Sequence, residues 1–514
     1  MEDSSLKSRF ESLRNLVLAK RPILKEILKK RGDKALLDYA NQYVDINLSP
    51  TIPKRQIELL ETMYEIVSGR YGKEIASSVI NQLEKYYFVS TADHIGPINH
   101  PYFINSDLLI EASMASHSDP LLKNIVVLGC ANVSFNNSSF PRGLFFHTYK
   151  NGFQLHKLPI LSAKPTPHTI YAMPPYGEDA IKKVFEFLNT KIENKEVDKK
   201  VGDEIYQIFR DIYLNSEILA AKSYCDQIGK TNLLLWQKFF EKSGVKLPNL
   251  IHIEQEEVVV KLLIKYHLNQ DTILNHMLFD PNYEPYINDY FEGIFGSFSR
   301  KDTKGTYLFW ALPEGHRDPL QLWREKNYLV SQDGSYRIEL KPEVIKDAME
   351  RKELIPGLLL NFCTLSFYYG LKCLGGFNQV NYLTLMKNAY IKMNAELGNY
   401  RSIEICARAQ TKEICDGPSM AFLGHSKENE PILASGLDLA LYGDKDSWKK
   451  LIKVTKKLTL AESLNPLMPE IYRISYDEKD WDQDLITIKE KEIAELLGLA
   501  QKITPCVTIP DTES

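Results

Sequence analysis

The chain has 514 residues, 44% hydrophobic and 25% charged, with a formal net charge of −4 and a pI of about 6.3. That composition supplies a globular core and gives no sign of the basic face by which a nucleic-acid partner usually shows. Seven cysteines, odd in number and without a CxxC pair, exclude a disulfide scaffold and a thiolate zinc site, and fit a reducing, cytoplasmic compartment.

Residues 1–87 read as an N-terminal helical region. RFESLRNLVLAKRPILKEILKK and PKRQIELLETMYEIVSGRYGKEIASSVINQLEKYYF space their apolar residues at helical intervals, with Pro53 suited to a first turn. The opening MEDSSLKSRFESLRNLVLAKR is charged throughout and lacks the apolar stretch of a secretory signal.

Residues 88–177 form a His-rich α/β segment. It holds His94, His100, His117, His147, His156 and His168, six of the eleven histidines. STADHIGPINHPYF places Asp93, His94, Asn99 and His100 among Gly96, Pro97 and Pro101, which preclude a regular helix. In such a loop Asp93 can orient His94, and His94 suits general acid–base chemistry near neutral pH. Asn136, Asn137 and Arg142 follow the apolar run KNIVVLGCANV in a turn-prone loop, where Arg142 has the fork for a carboxylate or phosphate. In LFFHTYKNGFQLHKL, Asn151-Gly152 predicts a two-residue hairpin turn. That register pairs Lys150 with Phe153 and, three steps out, His147 with His156. His94, His100, His147 and His156 are then candidate ligands for a divalent metal (zinc, iron or manganese), although no HExxH or finger spacing is present.

Residues 178–285 read helical. Ile228-Gly229-Lys230-Thr231 is half of a phosphate loop, but Tyr224 stands where the earlier glycine belongs, so no nucleotide cofactor is indicated. Residues 286–445 combine a β-meander with buried helices. GTYLFWAL, NYLVSQ and SYRIEL are its strands, the last two joined at Asp333-Gly334. The 18 uncharged residues Leu354–Leu371 reach the length of a membrane span. Pro356, Gly357, Asn361, Thr364 and Ser366 argue instead for a buried helix with no membrane partner. Gly375-Gly376 would end that helix, leaving Asn378 and Gln379 as candidate substrate-binding residues. Gly417-Pro418-Ser419-Met420-Ala421 fits a helix start better than a nucleophile elbow, since Ala421 replaces the second glycine. Residues 446–514 form a C-terminal helical region.

The expected fold is α+β and helix-dominated, with short β-hairpins and a meander in residues ~120–175 and ~304–340, gathered into one or two compact domains. The expected function is a cytoplasmic enzyme acting on a small anionic metabolite by hydrolysis or group transfer, with Asp93, His94 and Arg142 as its catalytic residues. The alternative is a non-catalytic helical scaffold or an effector-type interaction protein.

Overall fold

A computed structural model describes residues 2–46, 52–164, 167–426 and 428–511. The chain is mixed α+β and helix-dominated, with several small sheets. Its centre is a five-stranded, wholly parallel sheet. The strands are β1 (Phe88–Ser90), β2 (Asn124–Gly129), β3 (Asn249–Glu254), β4 (Lys372–Gly376) and β5 (Ile414–Asp416), in the order β5-β4-β1-β2-β3. Four helices frame it: α1 (Pro101–His117), α2 (Tyr224–Lys238), α3 (Gln255–Tyr266) and α4 (Gln379–Glu396).

Alternation along the strands divides the interior in two. Phe88, Ile125, Val127, Leu250 and Leu374 join one core, with Ile104 and Leu108 of α1 and Leu235 and Trp236 of α2. Val89, Val126, Leu128, Ile251, Ile253 and Cys373 join the other, with Val259 and Leu263 of α3 and Leu383 and Met386 of α4. Strands covered on both faces read as near-continuous apolar runs, as NIVVLG does after its first residue, while NLIHIE is broken by His252. Adjacent parallel strands β1 and β4 are therefore followed by helices on opposite faces. That makes the gap beyond their carboxyl ends the switch point of a doubly wound sheet.

A second sheet is the meander, antiparallel throughout. Its strands are Phe309–Ala311, Leu320–Glu325, Tyr328–Ser331, Arg337–Glu339 and Leu354–Pro356. The turn at Asp333-Gly334 forms, with Gly334 at φ 70°. Leu354–Leu371 is buried but is not one helix. Its first three residues pair with Phe309–Ala311, and only Leu358–Phe362 and the π-turn Cys363–Tyr368 are helical. Gly357 is the extended N-cap of that helix, packed so closely that a Cβ there would lie 2.9 Å from Thr306 Cγ2. No helix among the described residues is long and apolar enough to cross a membrane.

Gly375-Gly376 belongs to β4 and ends no helix. Gly376 pairs with Asp416, and a Cβ on it would sit 2.8 Å from Asp416 Oδ2, so the glycine makes room for that carboxylate. Gly229 of the half phosphate loop lies inside α2, packed against Tyr71 and the His252 carbonyl, with no room for a phosphate. Met420 and Ala421 start no helix; their N–H groups donate to Asn105 Oδ1 and the chain enters the strand Phe422–His425.

Arg70 fastens the N-terminal helices to this sheet. Its buried guanidinium meets Glu254 at 2.7 Å and Asp226 at 2.9 Å, and donates to the His252 carbonyl at 3.0 Å. Arg70→Ala leaves Glu254 charged and unpaired at the end of β3, and is expected to cost about 3–5 kcal/mol in a urea titration. Glu111 of α1 gives a prediction of opposite sign. Burial alone pushes its carboxyl up to about 8. The unfolded chain releases this proton near pH 4 and the folded chain keeps it, so stability is lost as pH rises from about 4 to about 8. Glu111→Gln is expected to match the wild type at pH 4 and to exceed it at pH 8.5 by an amount on the order of 3 kcal/mol, measured by denaturant midpoints at both pH values.

Candidate functional site

The chain leaving β1 stays laced to its neighbours. The Thr91 N–H donates to the Leu374 carbonyl, Cys130 N–H to the Asp93 carbonyl and Ile95 N–H to the Cys130 carbonyl, each at 2.9 Å. Asp93 and His94 are thereby held in extended backbone at the sheet's carboxyl edge, and successive side chains point apart. The Asp93 carboxylate turns to His252 of β3, with Oδ2 3.3 Å from Nε2. The His94 ring turns the other way, edge-on to Phe103 at 5.5 Å and beside the Asn137 side chain. Asp93 thus orients His252 and not His94, which corrects the expectation from the sequence. Gly96 then passes Pro141 so closely that a Cβ would lie 2.9 Å from Pro141 Cα.

His252 has a defined tautomer. Asn232 of α2 accepts from the Ile98 N–H through Oδ1 at 2.8 Å and donates through Nδ2 to the Gly96 carbonyl at 2.9 Å. Those two backbone groups fix the amide, since turning it over would face donor to donor and acceptor to acceptor. Nδ2 also lies 2.6 Å from His252 Nδ1, so Nδ1 is the acceptor there and the ring proton sits on Nε2, directed at Asp93.

These residues border a cavity of about 210 Å³ at the switch point. Asp93 and His94 line it from β1, Cys130 and Asn132 from β2, Gln255 and Glu256 from β3, and Gln379 from β4. Trp310 and Tyr382 complete the aromatic wall. Three buried atoms on lining residues have no hydrogen-bond partner among the described residues: Asp93 Oδ1, His94 Nδ1 and Gln255 Oε1. Glu256 accepts from Ala131 N–H at 3.0 Å, Asn132 N–H at 3.1 Å and the Cys130 thiol at 3.4 Å. Burial outweighs those donors and moves its carboxyl up to about 7, while burial and the Glu256 carboxylate push the Cys130 thiol well up. Burial lowers His94, so its imidazole is neutral at pH 7.

Behind Asp93 the acids continue. Asp107 on α1 is fully buried and raised well above the carboxylate range by burial, then by Asp93 and Asp416. Asp416 at the end of β5 is moved up to about 8 by burial, then by Asp93 and Glu470. Asp93, Asp107 and His252 bring potential ligand atoms within 4.8 Å of one another and could hold a metal ion.

The other residues expected at the site are spread out. His100 caps α1, its Nδ1 accepting from Tyr102 N–H at 3.3 Å, and burial with the neighbouring His94 takes its imidazole down to about 4. Arg142 reaches the Leu161 carbonyl at 3.4 Å, stands 5.1 Å over the Phe140 ring and does not line the cavity. Asn136 is exposed; Asn137 closes its own turn by accepting from Ser139 N–H. Asn378 precedes α4 with Oδ1 unpartnered among the described residues, and Gln379 donates to Thr91 Oγ1.

The hairpin packs beside the 90–103 loop, with Asn99 Nδ2 donating to the Phe145 carbonyl at 2.9 Å, but its register differs from expectation. Tyr149 pairs with Phe153 across a three-residue loop in which Asn151 has φ 54° and Gly152 φ 122°. One extra loop residue shifts the pairing by one, so Phe146 faces His156 and His147 faces Leu155. The two histidines fall on opposite faces. His147 Nδ1 meets Asp438 at 2.7 Å, while His156 meets Thr148 Oγ1 at 2.7 Å and stacks on Phe146. His94, His100, His147 and His156 therefore form no common ligand set.

Asp107, Gln255, Glu256 and His252 escape a sequence reading. The one local signal is polarity out of place: Asp107 inside the apolar run of α1 and His252 inside the apolar strand NLIHIE. Their meeting depends on β1–β2–β3 pairing, which no local spacing announces. No protein-family model matches this chain, and no curated protein matches it. The tautomer is directly testable: a long-range ¹H–¹⁵N spectrum is expected to show His252 protonated at Nε2 and bare at Nδ1. Asn232→Asp, which offers Nδ1 an acceptor, is expected to add a proton there.

Proposed function

We propose that this chain is an enzyme acting on a small metabolite at the switch-point cavity, by hydrolysis or group transfer. The observation that carries the reading is the trio of unpartnered buried atoms on its lining, Asp93 Oδ1, His94 Nδ1 and Gln255 Oε1. Buried polar atoms are normally satisfied, so such atoms beside a cavity mark where a ligand supplies hydrogen bonds. Two of the three only accept. The lining carries Asp93 and Glu256 and no lysine or arginine. The matching substrate brings hydroxyl or amino donors to this edge. That favours a polyol or amine over the purely anionic metabolite to which Arg142 pointed.

His94, neutral through burial, is the general base, taking a substrate proton at Nδ1. Asp93 is the anchor, held in place by the His252 Nε2 proton and accepting a substrate hydroxyl or ammonium at Oδ1. Among zinc, iron and manganese, a metal at the Asp93–Asp107–His252 group would act on substrate only through Asp93, because Asp107 and His252 do not line the cavity. The free cysteines, all but Cys130 buried, fit a cytoplasmic location.

A thermal-shift screen of small polyols and amines tests this reading, followed by turnover assays on any ligand found. The wild type is expected to be stabilised by a ligand whose effect Asp93→Asn abolishes. His94→Ala is expected to bind that ligand but to turn it over about 10²–10⁴ times more slowly. A ligand that stabilises wild type and Asp93→Asn equally, or full turnover by His94→Ala, would refute it.

A further inference from the structure

Asp93, Asp107 and His252 come from three separate elements: the exit of β1, the second turn of α1 and the interior of β3. Each is at most 1% exposed. Three carboxylate oxygens here have no partner among the described residues: Asp93 Oδ1, Asp107 Oδ1 and Asp107 Oδ2. The groups that act on Asp107 are Asp93 and Asp416, both acidic, and the group that acts on Asp93 is His252. No lysine or arginine contributes at either carboxylate. Carboxylates taken out of water need a compensating charge or proton.

We propose that Asp93 and Asp107 hold a hard divalent cation through oxygen alone, with His252 serving as hydrogen-bond donor to Asp93 and not as a ligand. The inference shares Asp93 with the proposed active site and rests on that reading only for the use made of the metal.

Three observations favour it. A proton shared between the two carboxylates would join two of the three unpartnered oxygens, whereas a cation bound by both oxygens of Asp107 and by Asp93 Oδ1 satisfies all three and leaves Asp93 Oδ1 its second lone pair for the substrate donor. One ligand atom from each of Asp93, Asp107 and His252 lies within 4.8 Å of the others, so the two carboxylates are near enough to share a single ion with metal–oxygen distances of about 2.0–2.5 Å. The third concerns the imidazole. A ligating histidine presents one bare nitrogen to the metal and donates its other N–H to an acceptor. Here Nδ1 already accepts from Asn232 Nδ2, so binding a metal at Nε2 would strip the ring of both protons. His252 therefore keeps its Nε2 proton and gives it to Asp93 Oδ2. An oxygen-only donor set selects magnesium, calcium or manganese over zinc or copper, and leaves the remaining coordination positions to water.

Manganese(II) is the probe, titrated by electron paramagnetic resonance into the full chain after chelator treatment, with no substrate present. One ion per chain is expected, displaced by magnesium or calcium. Electron spin-echo modulation of the bound ion is expected to lack the coupling of a directly coordinated imidazole nitrogen. His252→Gln retains an N–H donor for Asp93 and is expected to hold affinity within about threefold, while Asp107→Asn loses a ligand and is expected to weaken it by more than about tenfold. Failure to bind manganese at millimolar concentration overturns the proposal and leaves a proton-sharing acid pair. A coordinated-nitrogen signal in the wild type overturns the ligand assignment, and it needs no variant to fold. Turnover by a chain that binds no metal would defeat this inference and leave the acid–base reading standing; metal binding by a chain whose cavity takes no ligand would do the reverse.

Discussion

The amide of Asn232 is the constraint on which the site depends. It is fully buried on α2 and reaches three places at once: the Gly96 carbonyl, the Ile98 N–H and His252 Nδ1. Each such bond contributes about 1 kcal/mol, but leaving its partners unsatisfied in the core costs about 1–3 kcal/mol apiece, so the arrangement holds as a unit. Its structural effect is to pin the turn after β1 onto β3, across β2. Its chemical effect is to decide where the His252 proton sits. That proton fixes one oxygen of Asp93 and leaves the other unpartnered. A neutral side chain that touches neither Asp93 nor the cavity lining thus sets the hydrogen-bonding capacity of the whole edge.

Acids collect at this edge for a reason the architecture supplies. In a doubly wound sheet the helices that follow the strands begin at the strands' carboxyl ends. Here α3 and α4 start at the cavity and α1 starts just behind it, each turning the partial positive charge of its N-terminus toward this edge. Glu256 lies in the first turn of α3 and takes two further N–H groups from the segment after β2, which ties that segment to the helix. Such a field tolerates carboxylates that would be untenable elsewhere in the core. It does not neutralise them: Glu256 and Asp416 remain well above the ordinary carboxylate range, at about 7 and about 8.

How far the sequence could be read follows from how local each feature is. The Asp333-Gly334 turn, the burial of Leu354–Leu371 and the irregular 90–103 loop depend on neighbours a few residues apart, and all three are present. The parallel sheet was invisible because β1 and β5 are three residues long and β4 contains two glycines, which read as a break. Its pairing of Phe88 with Lys372 spans more than half of the chain. The hairpin was legible as a hairpin, but its register turned on whether Lys150 belongs to a strand or to the loop. Asn151 accepts a left-handed conformation in either case, so the dipeptide alone could not decide. His252 and Asp93 lie 159 positions apart, joined only through the order of the sheet.

The cysteines carry a consequence of the two-faced interior. Cys225, Cys415 and Cys506 pack in the core on the α1 side, Cys363, Cys373 and Cys406 in the core on the α4 side, and Cys130 stands at the switch point against Glu256. Burial pushes every one of these thiols up, Cys373, Cys406 and Cys506 to about 12 and Cys225 and Cys363 well beyond the usual range. A thiol that is both shielded and protonated does not react with an alkylating reagent until its surroundings open. The chain therefore carries its own stopwatch for local unfolding. The order in which its six buried cysteines become alkylated would report separately the opening of one face and of the other.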